Sequence, residues 1–423
     1  MAGRTNRTGR GRRLLPLVFA TTATQASIVV LAPLIVAIGR DLGASVSAVG
    51  GARSVLAATA FAGALAIGPL IDRIGVRPLI VWGATAALLG ALATAASPSL
   101  PVFYAAHAIT GVGVASLLSA GFAGVASQFE REEMPWAMGY VVGAQSLAWM
   151  LGNPIVGALA DAGSWRLAYA VPATICLAAL AAGLLLRHVE RPGAGATTAG
   201  VRAAESSGVA AVEPESLRDG LTAVLGDRSA RRWAIAEIIG YSAWAGELTY
   251  AGAFYIERYG VSEGAVGVLL AVGSVVFLVA SLSTVRLTTR YARRPLIVAS
   301  TFGMGVVLIP ILNWAPAVLV TLGMLCVMAV FAGLRSAGSS SLGLDQLPDR
   351  PGAMMGARTA SAQLGYMIGA AGGGAVIAIA GFGALGFVLF AGMAFAALIL
   401  AGVQDPIASR APLGPVLPEP IPD

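Results

Sequence analysis

Gly68-Pro-Leu-Ile-Asp-Arg-Ile-Gly-Val-Arg-Pro78 closes one long apolar run and opens the next. Asp72, Arg73 and Arg77 would each cost about 2.5–3.5 kcal/mol at mid-bilayer depth, so the stretch belongs in a tight turn at a membrane surface. Gly68 and Gly75 allow the close approach and sharp turning that such a turn needs. An ordinary charged connection between two membrane helices would satisfy this much. The rest of the chain decides whether it is more.

Of 423 residues, 57% are hydrophobic and 11% charged, whereas a soluble globular chain has about a quarter charged. That balance excludes a soluble enzyme. Apolar runs of about 20 residues recur from end to end, each able to cross a hydrocarbon core as a helix. The class is therefore an all-α polytopic membrane protein, with the lipid bilayer as its solvent. Every basic residue is an arginine, and the arginines are unevenly placed. Arg4, Arg7, Arg10, Arg12 and Arg13 precede the first run, with further groups at Arg73 and Arg77, Arg187 to Arg232, and Arg286 to Arg294. The alternate loops carry little beyond Arg40, Arg166 and Arg258. The positive-inside rule then places both termini and the Asp72 turn on the cytoplasmic side of the cell's inner membrane. Nucleic acid is a poor partner for such a distribution. The basic start imitates a signal peptide, but the run from Leu14 to Ile38 is too long, and it reads as a first helix. Cys176 and Cys326 fall inside apolar runs with only His107 and His188 nearby in kind, which offers neither a disulfide framework nor a metal site. There is no Walker loop and no nucleophile with an attendant base, so neither an enzyme nor ATP-driven transport is expected. No cofactor is implied, and an ion gradient is left as the energy source.

The runs place spans at 14–38, 46–70, 78–97, 101–126, 137–160 and 167–186, then at 233–256, 264–285, 295–313, 316–338, 354–380 and 384–402. Six follow six. The implied domains are a basic segment 1–13, a bundle 14–186, a polar linker 187–232, a second bundle 233–402 and a Pro-rich tail 403–423. The halves also repeat. Arg77-Pro-Leu-Ile-Val81 returns as Arg294-Pro-Leu-Ile-Val298, an offset of 294 − 77 = 217. The same offset carries Gly43 onto Gly260, Ala48-Val-Gly50 onto Ala265-Val-Gly267, Met138-Gly139 onto Met355-Gly356, Gly152 onto Gly369 and Gly157 onto Gly374. Two parallel six-helix repeats of this kind suit a substrate site between bundles near the midplane, reached alternately from each side by rocking. In the second copy of the charged turn Thr289 stands where Asp72 maps, while Leu287, Arg290 and Arg294 persist.

The pattern G-x-L-x-D-R-x-G-x-R, met by Gly68, Leu70, Asp72, Arg73, Gly75 and Arg77, resembles the signature loop between helices 2 and 3 of the major facilitator superfamily of secondary transporters. Further matches accompany it. His107-Ala-Ile-Thr-Gly111-Val-Gly113 resembles the family's R-x-x-x-G-x-G stretch in helix 4, with His in place of Arg. Asn153-Pro154-Ile-Val-Gly157-Ala158 resembles the helix 5 antiporter signature ending G-P-x-x-G-G, with Asn153 and Ala158 for glycines, and Trp165-Arg166 with Tyr169 looks like W-R-x-x-F at helix 6. The resemblance, nearest to the drug:proton antiporters and arabinose-efflux-like permeases, implies twelve helices in two bundles and export in exchange for protons. It also implies that the Asp72 end of helix 2 approaches the start of helix 11 near Gly356 and Arg358. From this follows the expectation that Asp72, Arg73, Arg77 and Arg358 latch the cytoplasmic end shut, against the plainer reading that Arg358 snorkels to headgroups.

Glu247 is placed by its span well inside hydrocarbon, where an acid is costly and marks function. Tyr241, Trp244 and Tyr250 share its broad face and could hold a flat organic substrate. A structural ion pair or packed aromatic face is the alternative. Arg53, at a depth similar to Glu247, is the candidate counter-ion, or else a direct binder of an anion. His107 can titrate and relay protons, or simply pack through a hydrogen bond. Gln25 and Thr24 offer a polar face on the first helix, and Asn153 one on the fifth, for lining a cavity. Glu237 and Arg335 read as interfacial, with an inner gate as the lesser alternative. Gly111, Gly113, Gly152, Pro154, Gly157, Gly369 and Gly372 to Gly374 read as helix-packing positions. The expectation is a monomeric, proton-coupled exporter of a small organic or drug-like molecule, with Glu247 carrying the proton. The alternatives are a small-anion symporter or uniporter using Arg53, and a non-transporting membrane sensor or scaffold.

Overall fold

The computed structural model describes residues 2–130, 132–186, 217–288 and 291–406, and these are helical nearly throughout. The first bundle holds α1 (Ala2–Val29), α2 (Leu31–Leu42), α3 (Val46–Ile74), α4 (Val76–Ala95), α5 (Leu100–Gln128), α6 (Met134–Ala162), α7 (Trp165–Ala168) and α8 (Ala170–Leu185). A short α9 (Leu217–Gly226) leads into the second, made of α10 (Arg228–Tyr259), α11 (Glu263–Thr288), α12 (Arg293–Asn313), α13 (Val318–Leu344) and α14 (Pro351–Ala401). Among the described residues eight helices are long and apolar enough to cross a membrane, and the bent pair α1/α2 makes a ninth. One of those eight, α14, is broken at Gly381, where φ is 76°. The remaining two long helices, α6 and α10, carry the amides and acids of the interior and so are less apolar. Twelve crossings fit this arrangement.

Three expected boundaries shift, each for a local reason. The first span is not one helix from 14 to 38, because α1 ends at Val29 and α2 departs from it at 44°. Pro33 has no N–H to offer the carbonyl of Val29, and its ring crowds that carbonyl, so the ladder lapses there. The basic segment is not separate either, since it is continuous with α1. Arg10 meets Glu133 at 2.5 Å, and Arg13 donates to the carbonyl of Gln128 at 2.8 Å and lies over the Phe129 ring. In the linker α9 is helical, and α10 begins at Arg228, five residues before the expected 233. Asp227 caps it, accepting from the N–H groups of Ser229 and Ala230 at 2.9 and 2.7 Å. The linker stretch 187–216, the tail from 407, and Thr289 with Arg290 lie outside the described residues.

The sequence repeat is a repeat of structure. Gly43 and Gly260 end α2 and α10 in the same left-handed conformation, at φ of 61° and 64°, which glycine adopts without a Cβ penalty. Ser45 and Ser262 each accept from the N–H three residues on, both at 3.2 Å. Arg77 donates to the carbonyl of Leu184 at 3.2 Å and Arg294 to that of Val403 at 3.3 Å, so each bundle ties its third helix to the end of its sixth. Gly75, at φ 80°, makes the turn between α3 and α4.

The bundles meet along two seams, α3 against α14 and α6 against α11, which the offset of 217 exchanges. Where they are pressed together the residues are small. A side chain at Gly157 would strike Glu263 and Gly264, one at Gly267 would strike Asn153 and Pro154, and Gly50 and Gly374 both abut Tyr250. Asp161 of α6 accepts from Ser262 Oγ at 2.8 Å and from the N–H of Gly264 at 3.1 Å, so one bundle caps a helix of the other. These contacts lie toward one end, here called the far end, which also carries the Asp41–Arg166 pair at 2.5 Å. Gly139 lies on the same face of α6 as Gly157, and Gly356 on the same face of α14 as Gly374, each about five turns away toward the Gly75 end. Neither Gly139 nor Gly356 has any neighbour within 4 Å. Both seams thus part toward the end that carries the charged turn, and α9 of the second half also touches α3.

Candidate functional site

At the bend of the first span Arg53 Nη1 of α3 donates to the carbonyl of Ile28 at 2.6 Å. Arg53 is 3% exposed. Its guanidinium lies over the ring of Tyr366 from α14, 5.4 Å to the centroid, which carries the contact across a seam. Tyr366 packs edge-on against Tyr241 of α10 at 5.7 Å, and Arg335 of α13 stands over Tyr241 at 5.5 Å. Arg335 ends the series by donating to Glu237 at 2.7 Å. Ser339 donates to the same carboxylate oxygen at 2.9 Å, and Trp233 donates to Ser339 at 3.1 Å. Two tyrosines packed edge to face thus stand between two arginines, one from each bundle. Arg358 donates to Ser340 at 2.8 Å.

Glu237 and Arg335 are therefore not interfacial: they are 1% and 0% exposed and form a buried ion pair. Tyr366 was not singled out by the sequence, because nothing in the Gly-rich stretch around it marks its direction. Only its neighbours in space do.

Glu247 is 5% exposed, so it faces protein and not lipid. It forms no ion pair among the described residues, and its Oε2 is buried without a hydrogen-bond partner. Glu247 and Arg53 are not brought together. Glu247 instead faces the interior of the second bundle, walled by Tyr250, Tyr255, Ile311, Leu325 and Leu385. Depth along the two spans is similar, but their azimuths differ, and azimuth is what pairing requires. Arg53 keeps one unpartnered nitrogen, Nη2. His107 is 3% exposed, with Nδ1 at 2.9 Å from the carbonyl of Phe103 and its ring 4.3 Å from the Phe103 ring.

The expected cavity residues divide. Gln25 is half-buried and joins Gln145 at 3.0 Å and Trp149 at 2.8 Å, a cluster of amides and indole linking α1 and α6. Tyr241 belongs to the arginine-tyrosine series. The others turn elsewhere. Thr24 is fully buried and bonds the carbonyl of Ala20 in its own helix. Trp244 packs on Phe277 at 5.3 Å. Tyr250 is closed into a seam, its hydroxyl donating to the carbonyl of Ala370 at 2.7 Å, and Asn153 is buried in the opposite seam against Gly267. The packing glycines behave as read: Gly111 abuts Leu56 and Thr59, Gly113 abuts Gly83 and Ala87, Gly152 abuts Val29, Gly369 abuts Ser242 and Gly373 abuts Tyr250. Pro154 sits beside Gly267. Of the latch residues, Arg77 and Arg358 bond within their own bundles, as the parted seams require, and the side chains of Asp72 and Arg73, with Gly68, lie outside the described residues.

Comparison with known proteins agrees with this architecture. The sequence profile of the Major Facilitator Superfamily matches residues 17–277 and 238–416. Multidrug resistance protein MdtM of Escherichia coli (strain K12) is 29% identical over 176 residues, 42% of this chain and 43% of that protein. Inner membrane transport protein YnfM of the same strain is 26% identical over 170 residues, 40% of each. Multidrug resistance protein D, also of that strain, is 29% identical over 175 residues, 38% of this chain and 41% of that one. In each case the aligned stretch spans less than half of the relative's length. A crystal structure of a D-xylose-proton symporter superposes with a TM-score of 0.70 at 17% identity, covering 94% of this chain and 97% of that one. At that identity the likeness is one of fold.

Proposed function

This chain belongs to the Major Facilitator Superfamily, and on that premise we propose that it exports a small organic or drug-like molecule in exchange for protons, by rocking of its two bundles. It is a multi-pass membrane protein of transporter type, not an enzyme. The observation that carries the coupling is Glu247: a fully buried carboxyl on a membrane-crossing helix with no ionic partner and one oxygen unbonded. Burying an unpaired charge costs several kcal/mol more than burying a neutral acid. A change in what surrounds this group is therefore linked to taking up or losing a proton. Glu237 is different, held as a fixed charge by Arg335 and Ser339. Substrate is met by the half-buried amides of Gln25 and Gln145 with Trp149, and by Tyr241 and Tyr366 across the opening. Export of a drug-like cargo draws on the two relatives that bear the name multidrug resistance protein. With the arginine-rich end in the cytoplasm, both seams part inward, and the Asp72, Arg73, Arg77 and Arg358 latch is the contact that forms when they close. His107 and Arg53 stand near each other as the first bundle's share of the coupling. The chain works as a monomer in the inner membrane with both termini cytoplasmic.

The test is proton movement in proteoliposomes with a pH-sensitive dye, driven by a lipophilic cationic dye as substrate. Glu247→Gln is expected to abolish substrate-linked acidification while substrate counterflow continues. Unchanged proton movement in that variant removes Glu247 from the mechanism. A second reading, a transporter of small anions, is favoured by the unpartnered Nη2 of Arg53. Counterflow of an anionic substrate that is lost in Arg53→Lys, with cationic dye unaffected, would select it.

A further inference from the structure

The space around Glu247 lies wholly inside the second bundle. Its walls come from α10, α12, α13 and the part of α14 beyond Gly381, and it is about 10 Å³, the room that one water needs. A second cavity of about 230 Å³ lies toward the far end, lined by Phe254, Glu257, Arg258, Leu312, Asn313 and Phe382. The two share Phe254, Leu312 and Phe382, so they are consecutive compartments with a common wall. That wall is thin. Phe254 and Phe382 meet edge-on with ring centroids 5.5 Å apart, and Phe382 is set there by the left-handed turn at Gly381. Phe254 stands seven residues from Glu247 on the same helix, about 10 Å of rise. Between the bundles this end is shut, because Gly252 is pressed on the carbonyl of Ala32 and Tyr250 fills the gap between Gly50 and Gly374.

Two polar atoms inside the smaller compartment's walls lack partners, Oε2 of Glu247 and the hydroxyl of Tyr255. Buried polar atoms of this kind are ordinarily satisfied, by water where protein does not serve. The other groups facing the site are few. Tyr250 comes from α10 itself, where Tyr259 packs on Tyr255 with ring centroids 6.0 Å apart; α13 presents Leu325, next in sequence to Cys326, and α12 and α14 present Ile311, Leu312, Phe382 and Leu385. Among the described residues no cation lines the smaller compartment. The charges of Glu257 and Arg258 stand at the mouth.

We propose that Glu247 exchanges its proton with the far end of the molecule through these two compartments, past the Phe254–Phe382 constriction, and not through the chamber between the bundles. This rests on Glu247 being the coupling acid. In the step itself a hydronium in the larger compartment hands a proton, through a water in the small one, to the Glu247 carboxylate, giving the carboxyl O–H and leaving water behind. Release toward the opposite side follows in the other pose of the bundles. An apolar constriction that wets and dries sets the rate.

The experiment uses the full chain in liposomes with Cys176→Ser and Cys326→Ser, and with Leu312→Cys, which lines both compartments. A small membrane-impermeant methanethiosulfonate is added from the far end. It is expected to modify Leu312→Cys, to slow substrate-driven proton movement by an order of magnitude, and to leave substrate counterflow intact. Phe382→Ala should do the opposite and raise proton leak without substrate. If Leu312→Cys does not assemble, Asn313→Cys at the exposed mouth serves with a bulkier reagent. No modification from the far end, or full modification with proton movement unchanged, overturns the route. If Glu247→Gln keeps its proton coupling, the coupling role itself fails. If Glu247→Gln loses coupling while plugged Leu312→Cys keeps it, the route alone fails.

Discussion

The two bundles share a skeleton and differ in what they enclose. Their helix caps, arginine tethers and glycine seams correspond at one fixed offset, down to matching left-handed glycines at Gly43 and Gly260. Their interiors do not correspond. Among the described residues the first bundle buries one arginine, Arg53, which props a broken helix by its backbone. The second holds two acids on one helix, Glu237 neutralised by Arg335 and Glu247 left alone. Duplication thus preserved the caps, tethers and seams and released the polar groups of the interior. Acids in hydrocarbon are retained at a cost, so an unmatched one in a single half points to a task that half performs.

The largest break in this comparison comes from separating the two acids. Arg335→Ala leaves Glu237 buried without its cation and is expected to lower thermal stability in detergent by about 3–5 kcal/mol. Glu247→Gln, which removes no partner, should leave the unfolding midpoint unchanged or raise it. Equal losses in both would erase the distinction between fixed and exchangeable charge. A double replacement, Glu237→Leu with Arg335→Met, should recover most of the stability lost by Arg335→Ala alone.

The seams give the next effect. Gly157→Leu and Gly374→Leu each insert a side chain into a pressed contact and should cost the present conformation about 1–3 kcal/mol. Spin labels across the far end would then report wider spacing, to the same degree in both variants. Gly139→Leu and Gly356→Leu enter empty space here, so they should leave this conformation alone and hinder closure of the other end. Arg53→Lys loses the planar fork that holds Ile28, a charged hydrogen bond worth about 1.5–3 kcal/mol, and should increase hydrogen exchange at the Val30 bend. The smallest effect is at the caps. Gly43→Ala and Gly260→Ala are each expected to cost about 1 kcal/mol, and unequal costs would show that one bundle carries more of the stability.

Much of this architecture is legible in one sequence, because apolar length, arginine asymmetry and a repeat at fixed offset are properties of the chain and not of its packing. The family resemblance read from the Asp72 turn agrees with the profile match over residues 17–277 and 238–416. What escaped has a common cause. The apolar run begins at Trp233 and so sets Glu237 near an interface, whereas capping by Asp227 starts the helix at Arg228 and sinks Glu237 about two and a half turns into it. Arg53 and Glu247 were matched by depth, which a sequence supplies, while the rotation of α3 against α10 is set by tertiary contacts. Thr24, Tyr250 and Asn153 are polar residues well inside their helices, yet they turn into packing. Pro33 was visible, and its consequence at Val29 follows from the ring alone.

The idle glycines five turns from the engaged ones bear on energetics. Since Gly139 and Gly356 present to the open end the same bare strip of backbone that Gly157 and Gly374 use at the closed one, swinging shut the other way would trade one set of van der Waals contacts for another of like kind. Neither pose need be much favoured over the other. A cargo molecule or a single proton that prefers one pose by a few kcal/mol is then sufficient to tip the balance.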